Sequence, residues 1–457
     1  MKLNNIDSKD PLYNKIWTII LIIFVILSAV LVLLPAKFAV LIALGAIAYV
    51  ILTLIKLEYG LYVFIISMPL ITQQLEEQSK VIIWGLASII VGIWAIKKLL
   101  FKRPISIIPR WMIFFILFYS LWTILCNLNN LISVQSYLTP IRVIVFWLLI
   151  MVVYDIININ NYRIILTCIT VPIVGAVIYA IANTPISNNM MGVLISLAIR
   201  NPGYFQNVNV LAGILLLLIP IYLSLILLEK KTFPLKAIDI IVLLLFLIGL
   251  LITNSRASFI GVIFATLAVL SIINKKYVIG FGLLSIPVIV FLLTFLGPNA
   301  INYIIRADTG LSGRDIVWKS TFQIIQKNPL WGIGTGNFPD VINSYLPTTG
   351  YIHYFNNINH AHNYYLQKMA DMGILGVFFI TYLIYKLSKE SLKIRFLCKN
   401  TTEKAMVIGS IGMLIGVAIR SAFEAIGIIS TGGVFPDIYF WLIAIYPLKL
   451  KSINNKC

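Results

Sequence analysis

The most informative pattern in this sequence is a series of long apolar runs separated by short polar connectors. Most runs are roughly 17–22 residues long, the length that an α-helix needs to cross a hydrocarbon core of about 30 Å. In lipid, a helix is also the simplest way to satisfy every backbone hydrogen bond. The pattern therefore predicts an all-α, polytopic transmembrane bundle of about 12–14 spans. The runs cover residues 16–34, 36–55, 57–72, 81–96, 109–126, 139–156, 163–182, 208–228, 237–253, 256–273, 277–297, 367–386, 405–427 and 434–448.

Composition excludes a water-soluble protein. Of the 457 residues, 60% are hydrophobic and 11% are charged, with a mean hydropathy of +0.98. A soluble domain carries about 25% charged residues. The apolar runs repeat along the whole chain, so they are not a lone signal peptide, and the first is expected to act as an uncleaved insertion signal. The four cysteines lack the spacing of a metal site or a disulfide framework: Cys126, Cys168, Cys398 and Cys457.

The net charge of +19 indicates membrane topology rather than nucleic-acid binding. The basic residues form short clusters between apolar runs, as the positive-inside rule describes. If the N-terminus is cytoplasmic, most of the 35 basic residues fall in cytoplasmic connectors and the acidic connector 72–80 falls outside. An even number of spans then places both termini in the cytoplasm.

Two outer connectors, about 183–207 and 298–366, are longer than topology requires, and long loops commonly carry function. In the second, a helix is predicted from Arg314 to Gln326, capped by Ser312 and ended by Asn328–Pro329. Its predicted apolar side consists of Ile316, Val317, Phe322, Ile324 and Ile325. No repeat or linker appears, so residues 1–457 are expected to form one membrane domain that includes the large loop 298–366.

Arginines near the outer ends of helices are the first candidates for chemistry. A charge at the membrane centre costs about 2.5–3.5 kcal/mol, so charges near it need a partner or a purpose. Guanidinium groups bind phosphate oxygens bidentately, which suggests a site for a diphosphate. Snorkelling to lipid headgroups is the alternative for each residue, and Arg420 could instead pair with Glu424. The arginines concerned are Arg142, Arg200, Arg256, Arg314 and Arg420.

All three histidines fall in the large outer loop: His353, His360 and His362. Histidine can take a proton near neutral pH, so His362, at the turn into the next span, is a candidate general base. A zinc site built from His360, His362 and His353 is a weaker alternative, because helix-type ligand spacing is missing.

The glycines of the segment 328–338 (Gly332, Gly334 and Gly336) suggest a nucleotide-binding loop at first sight. No strand precedes them and no GK[ST] follows, so the phosphate-loop pattern is incomplete. We expect them instead to form backbone turns that fold the loop close to the membrane.

Together these motifs resemble the O-antigen ligase and Wzy-type polysaccharide polymerase superfamily. The resemblance covers roughly residues 200–376. It is carried by Gly313–Arg314, Trp318, NPLWGIGTGNF at 328–338, and HNYYLQ at 362–367 continuing to Gly373 and Gly376. The upstream segments TNSRAS (253–258) and GYFQNVNVLA (203–212) are also similar, with Val208 where the family usually has proline.

The resemblance implies a bacterial cell-membrane enzyme that transfers a glycan from a polyprenyl diphosphate to a hydroxyl acceptor on the outer face. It assigns the general base to His362 and diphosphate binding to Arg256 and Arg314, with Arg200 beside them. The remaining substrate-binding candidates are Asn209, His360, Asn363 and Trp318. No cofactor, metal or nucleic acid is expected. The expected partners are the lipid-linked oligosaccharide and membrane lipid, with a flippase and a chain-length regulator as further candidates.

Several functions remain open at this point. Within the family, a polymerase extends a lipid-linked chain, whereas a ligase attaches the chain to a lipid core, and the polymerase is favoured. From another class, a secondary transporter or lipid-linked glycan flippase would also be polytopic, and a scaffold subunit without catalysis is a third option. Transporters place charges near the membrane midplane, whereas the informative charges here concentrate on one face, which favours an enzyme.

Overall fold

The computed structural model describes residues 39–74, 76–101, 105–106, 108–184, 200–287, 290, 313–347, 358–424, 427–429 and 433–454. These residues are 81% helical and include no strand, so the predicted all-α class is confirmed. The helices include α1 (Ala39–Ile55), α2 (Leu57–Gln74), α3 (Glu76–Phe101), α4 (Arg110–Leu128), α5 (Val134–Ile156), α6 (Tyr162–Ala182), α7 (Val208–Leu228), α8 (Phe233–Thr253), α9 (Arg256–Ile273), α10 (Arg314–Lys327), α11 (Phe338–Ile342), α12 (Tyr364–Ile394), α13 (Thr401–Arg420) and α14 (Asp437–Asn454).

Most predicted spans correspond to helices. Within the described chain, nine helices are long and apolar enough to cross a membrane, and two shorter apolar helices cover Gly45–Ile55 and Leu57–Thr72. The predicted run 16–34 lies outside the described residues. The run 405–427 was predicted too long at its end, because the helix stops at Arg420 and the chain turns through the next residues. The polytopic bundle is thus confirmed.

Helices α9 and α13 pack closely, and their ends hold residues of the candidate site. Gly261 of α9 faces Gly416 of α13, and a Cβ on Gly261 would lie only 2.9 Å from the Gly416 carbonyl oxygen. Small residues at such a contact let two membrane helices approach backbone to backbone. This approach brings Ser258, near the start of α9, against Arg420 at the end of α13.

The two ends of the bundle carry different chemistry. At one end, Glu229 after α7 forms ion pairs with Arg163 and Lys231 and accepts a hydrogen bond from Thr402 Oγ1 at 2.7 Å. Lys231 also pairs with Asp239. The other end, which we call the loop end, carries the start of α7 and the segment 313–347. Arg163 at the start of α6 and Lys231 before α8 therefore lie together at the end opposite the loop end.

The large loop contains the predicted helix, observed as α10, Arg314–Lys327. Its apolar side was predicted partly wrongly: Phe322 is 50% exposed, whereas Ser320 and Thr321 are buried beside Val317, Ile324 and Ile325. Both hydroxyls are satisfied internally, since Ser320 Oγ donates to Tyr345 O and Thr321 Oγ1 donates to Val317 O. The proposed cap Ser312 lies outside the described residues, and Gly313 occupies the N-cap position.

The glycine segment 328–338 forms backbone turns, as predicted, and the structure shows that it folds onto α12. Gly332, Gly334 and Gly336 all have positive φ, between 66° and 91°. Such φ values favour glycine, which has no Cβ to clash. The N–H of Ile333 donates to the Ala370 carbonyl at 2.8 Å, and α12 is kinked where Gly373 also adopts a positive φ. The loop is therefore fixed to the membrane helix by its backbone.

Candidate active site

The segment before α12 holds His362 in an uncommon backbone conformation. His362 has φ 51° and Asn254 has φ 44°, and these are the non-glycine residues with positive φ among those described. A non-glycine residue in this region stores strain of about 1–3 kcal/mol, and such residues concentrate at functional sites. One is the predicted base itself, and the other lies two residues before Arg256. Asn254 is the C-cap of α8, where asparagine readily adopts this conformation, so His362 is the position whose unusual backbone coincides with the predicted chemistry.

Asn363 fixes the position of His362 by capping the next helix. Its side-chain oxygen accepts a hydrogen bond from the N–H of Leu366 at 3.0 Å, so Asn363 is the N-cap of α12. Asparagine is a preferred residue at this position because it satisfies an otherwise unpaired helical N–H. The structure thus gives the Asn363 oxygen a capping role next to the candidate base.

The side chain of His362 contacts a carboxylate from a distant part of the chain. Its Nδ1 lies 3.2 Å from Oε1 of Glu424, which follows α13. The same oxygen lies 3.9 Å from Nε2 of His360, and the two imidazole rings pack edge to face with centroids 4.2 Å apart. Because His360 lies beyond hydrogen-bond distance, His362 is the closer partner of Glu424.

Arg314 meets the other oxygen of the same carboxylate. Its Nη2 lies 3.4 Å from Glu424 Oε2, and its Nη1 donates to the backbone oxygen of Phe423. The structure therefore joins Arg314 and His362, two residues of the predicted loop 298–366, through one carboxylate. Their side chains are 23% and 32% exposed, whereas that of Glu424 is 1% exposed. The two loop residues are exposed enough to contact a substrate, and the buried carboxylate of Glu424 contacts both of them.

Glu424 is kept ionised by its neighbours. Burial alone would raise the pKa of its carboxyl group, but the hydrogen bond from His362 and the positive charges of His362, His360 and Arg420 hold this pKa well below its ordinary value. Sequence reasoning considered Glu424 only as a partner of Arg420. The signal it missed was an isolated carboxylate inside the predicted apolar run 405–427, where an unpaired charge is costly.

Arg420 and Asn209 connect this cluster to α7 and α9. Arg420, which is 4% exposed, donates from Nε to Ser258 Oγ at 3.0 Å and from Nη2 to the Asn209 backbone oxygen at 2.7 Å. The side-chain oxygen of Asn209 accepts from Arg200 at 3.3 Å and from Ser255 at 3.0 Å. Asn209 therefore positions the arginines, and Arg200 itself is exposed.

Arg256 and Arg314 share a position in their helices, since each is the first helical residue. Arg256 is half-buried at the start of α9 and Arg314 at the start of α10; the N-cap Ser255 makes no side-chain capping hydrogen bond to α9, and the N-cap of α10 is Gly313, which has no side chain. A helix N-terminus has free N–H groups and a partial positive charge, which disfavour a cation and favour an anion. Arginine at both positions adds charge where an anionic ligand would be stabilised.

Trp318 and Gln367 hold the backbone between the two histidines. The indole N–H of Trp318 donates to the Ala361 carbonyl at 2.9 Å, and Gln367 Oε1 accepts from the Ala361 N–H at 2.7 Å. Gln367 in turn donates to Asp371 within α12. The predicted substrate contact Trp318 thus has a visible role in holding the histidine segment.

Among the described residues, His360, His362 and Glu424 form a group that could hold a metal ion. One ligand atom from each lies within 4.8 Å of the others. Burial lowers the pKa of His360 below its ordinary value, which leaves a neutral ring suitable for ligation. Against this, the Arg314 guanidinium occupies the same carboxylate. His353, the third ligand considered from sequence, lies outside the described residues.

Residues 241–381 match the family model described as O-antigen ligase. This match confirms the resemblance deduced from the motifs and indicates glycan transfer in surface polysaccharide assembly. It includes Arg256, Arg314, Trp318, His360, His362 and Asn363. Arg200, Asn209, Arg420 and Glu424 lie outside it, although they form part of the same cluster. No curated protein matches the chain.

Proposed function

We propose that this chain, with its O-antigen ligase segment, transfers a glycan from a polyprenyl diphosphate to a hydroxyl acceptor at the loop end of the bundle. The observation that carries this proposal is the meeting of Arg314 and His362 at one buried carboxylate. A cation for an anionic leaving group and a base for a hydroxyl thus lie side by side. Both side chains are partly exposed and both belong to the segment that matches the family.

In the proposed reaction, the acceptor hydroxyl oxygen attacks the anomeric carbon of the lipid-linked sugar and its proton passes to His362. The bond between that carbon and the diphosphate oxygen breaks, and its electron pair leaves with the polyprenyl diphosphate. The base acts on the face opposite the leaving group, so the configuration at the anomeric carbon inverts. Retention of configuration in the product linkage would rule out this single displacement.

The diphosphate is assigned to Arg256 and Arg314, with Arg200 beside them. Three features support this assignment: the fixed charge of guanidinium, the position of Arg256 and Arg314 at uncapped helix N-termini, and the chain of contacts through Asn209 and Arg420. Charge that develops on a leaving group is best stabilised by donors already in place. In this proposal the reaction needs no metal ion.

We assign the acceptor role to a second lipid-linked repeat, which makes the enzyme a polymerase of a surface polysaccharide such as O-antigen, capsule or a teichuronic-type polymer. Attachment to a lipid core, the ligase reaction, uses the same donor chemistry and is the alternative. The loop end is assigned to the extracytoplasmic face and both termini to the cytoplasm, because the basic connectors belong to the other end.

A flippase or secondary transporter is the competing class. A transporter needs polar groups along a route between the two faces, near the membrane midplane. In the described chain, the contacts of the predicted site residues form one cluster at the loop end, and the ion pairs around Glu229 lie at the opposite end. This separation favours a site used from one side.

Reconstitution in proteoliposomes tests the proposal directly. Purified protein receives a polyprenyl-diphosphate oligosaccharide, and both product chain length and transbilayer movement of the lipid are followed. Chain growth by wild type, together with its loss in His362→Gln, supports a polymerase with His362 as base. Lipid movement without transfer would identify a flippase, and unchanged chain growth in His362→Gln would exclude the proposed base.

A further inference from the structure

We infer that Glu424 is a positioning residue that holds the His362 ring in the tautomer with the proton on Nδ1, leaving Nε2 to take the proton of the acceptor. This inference rests on the proposed function of His362. It assigns a role to a residue outside the segment 241–381 that matches the family. It also states which ring nitrogen faces the substrate.

The contact geometry supports this assignment. Glu424 Oε1 lies 3.2 Å from Nδ1 of His362, and its other oxygen lies 3.4 Å from Arg314. An ionised carboxylate can only accept hydrogen bonds, so the hydrogen of this bond must belong to Nδ1. A neutral imidazole has one N–H, so the second nitrogen, Nε2, then carries the lone pair that can act as a base.

The carboxylate itself is held firmly. Glu424 is buried, its backbone N–H donates to the Arg420 carbonyl at 3.0 Å, and Arg314 donates to the preceding residue, Phe423. The charged and titratable groups that face it come from three elements: His360 and His362 before α12, Arg314 on α10 and Arg420 on α13. With the guanidinium groups of Arg314 and Arg420 beside it, Glu424 stays negative and keeps its hydrogen-bond acceptor role while both histidines are neutral.

The same carboxylate also stabilises the product of proton transfer. When Nε2 takes the acceptor proton, the ring becomes a cation, and the Glu424 charge lies against its Nδ1–H. A carboxylate behind a catalytic histidine acts in this way in hydrolases, by fixing the tautomer and stabilising the imidazolium. His360 is the less suitable base, because its Nε2 is 3.9 Å from the carboxylate and lacks this bond.

A metal site on His360, His362 and Glu424 is the rival assignment of the same atoms. A metal on the His362 ring would need the lone pair of the coordinating nitrogen, and it would compete with Arg314 for the carboxylate. The present contact between Arg314 and Glu424 favours the hydrogen-bonded arrangement. The two assignments differ in what the ring nitrogens carry, and this can be observed directly.

Nitrogen NMR of the imidazole rings tests the inference without relying on activity. The chain has three histidines, so a protein labelled with ¹⁵N-histidine has three ring systems, assigned with His353→Gln and His360→Gln. Above the pH at which the rings lose their charge, wild type is expected to show His362 with hydrogen on Nδ1. In Glu424→Gln, this preference is expected to weaken. Hydrogen on Nε2 of His362 in wild type would overturn the inference.

Kinetics in proteoliposomes separate positioning from donor binding. For Glu424→Gln, kcat is expected to fall on the order of 100-fold, the scale of general-base catalysis, with little change in KM for the lipid-linked donor. The acid-side loss of activity should move to lower pH, because removal of the carboxylate disfavours the protonated ring. A large change in KM with kcat unchanged would overturn the inference and assign Glu424 to Arg314 and the donor instead.

Two variants guard against a folding artefact. Glu390→Gln removes another buried, ion-paired carboxylate, which lies 2.7 Å from Lys451 at the opposite end of the bundle, and it should keep wild-type kinetics. Glu424→Asp keeps the charge and should recover part of the activity of Glu424→Gln, with the wild-type pH profile. If Glu424→Gln does not fold, the inference is tested by the His362 tautomer in wild type and by the kinetics of Glu424→Asp.

The remaining outcomes distinguish the inference from the proposed function. Full activity in Glu424→Gln with an inactive His362→Gln would reject the inference and leave the proposed base intact. Full activity in both variants would reject the proposed function of His362, whatever its tautomer. Loss of wild-type activity on treatment with a chelator, and its return with Zn²⁺ alone, would overturn the inference in favour of a metal site.

Discussion

The indole N–H of Trp318 donates to the backbone carbonyl of Ala361 at 2.9 Å. This hydrogen bond joins α10 to the segment that holds His360 and His362. Arg314, one turn earlier on α10, reaches the same region through Glu424. Arg314 and Trp318, one turn apart on α10, thus connect this helix to the segment that holds the candidate base, so α10 supports the site.

Replacement of Trp318 by Phe should loosen this support. The aromatic ring is largely retained, but the Ala361 carbonyl loses its donor, so we expect a loss of about 1 kcal/mol in stability. Activity should fall several-fold, because the histidine segment gains freedom. The matched control is Trp331→Phe, in the same loop. This change also keeps an aromatic ring, which stacks on Trp122 of α4. Thermal unfolding and transfer assays check this, and equal effects of both changes would contradict it.

Loss of the α12 cap should affect both stability and activity. In Asn363→Ala the Leu366 N–H loses its partner, and we expect a cost of about 0.5–2 kcal/mol together with reduced transfer. Asn363→Asp should retain most of both. Asn400→Ala removes an equivalent cap from α13 at the opposite end, where the Asn400 oxygen accepts from Glu403 N–H at 2.8 Å. That control should lose stability without a comparable loss of activity; a parallel loss would make the Asn363 effect purely structural.

The kink at Gly373 should tolerate no side chain. Its φ is 65°, and a Cβ there would lie 2.0 Å from the Leu330 carbonyl oxygen, which belongs to the docked loop. With φ 65° and ψ −162°, Gly373 lies in a backbone region open essentially only to glycine, where another residue costs about 1–3 kcal/mol. Gly373→Ala should therefore displace the loop, lower the melting temperature and reduce transfer. Gly92→Ala, with no atom within 4 Å of the new Cβ, should be neutral or slightly stabilising.

Stability should decrease as the pH falls below neutrality. The pKa of His360 is lowered in the folded protein, so the unfolded chain takes up the proton first as pH falls past about 6.5. Stability contributed by the neutral His360 is present above that pH and is lost below it. The depressed pKa of Glu424 acts in the same direction at lower pH, below about 4.3. Thermal unfolding measured between pH 7.5 and about 5.5 should show a smaller decrease in melting temperature for His360→Gln than for wild type. Equal decreases in the two proteins would contradict the assignment of this pH dependence to His360.

The sequence predicted the helices of the bundle well, because span length and hydropathy are local properties of the chain. It also predicted α10, since Asn328–Pro329 marks its end. It placed Phe322 on the wrong side of that helix, because burial there depends on which face meets α12. The loop glycines were predicted to form turns because the phosphate-loop pattern around them is incomplete.

The candidate site was predicted only in part. Arg314 and His362 were found from sequence because they belong to recognisable motifs. Glu424 was not assigned to the site, since its contact with them exists only after α13 has packed beside α12. Likewise, the role of Asn209 as a link between Arg200 and Arg420 depends on the approach of α7 and α13. Contacts between distant segments are set by packing, which a single sequence does not show.

The arginines at the helix N-termini should differ from other arginines of the bundle in their sensitivity to lysine. Lysine keeps the charge of Arg256 or Arg314 but loses the planar pair of donors that grips phosphate oxygens. Arg314→Lys should also lose its hold on Phe423 O and Glu424. We therefore expect kcat/KM for the lipid-diphosphate donor to fall roughly 10- to 100-fold in either variant, which corresponds to a loss of about 1.4–2.7 kcal/mol of transition-state stabilisation.

Arg142→Lys is the control, because Arg142 donates to Gln135 on its own helix at 2.8 Å. Inhibition of wild type by free polyprenyl diphosphate should weaken in parallel for Arg256→Lys and Arg314→Lys. If Arg142→Lys were equally impaired, the effect would follow from surface charge in general, and the assignment of the diphosphate to the two helix N-termini would be wrong.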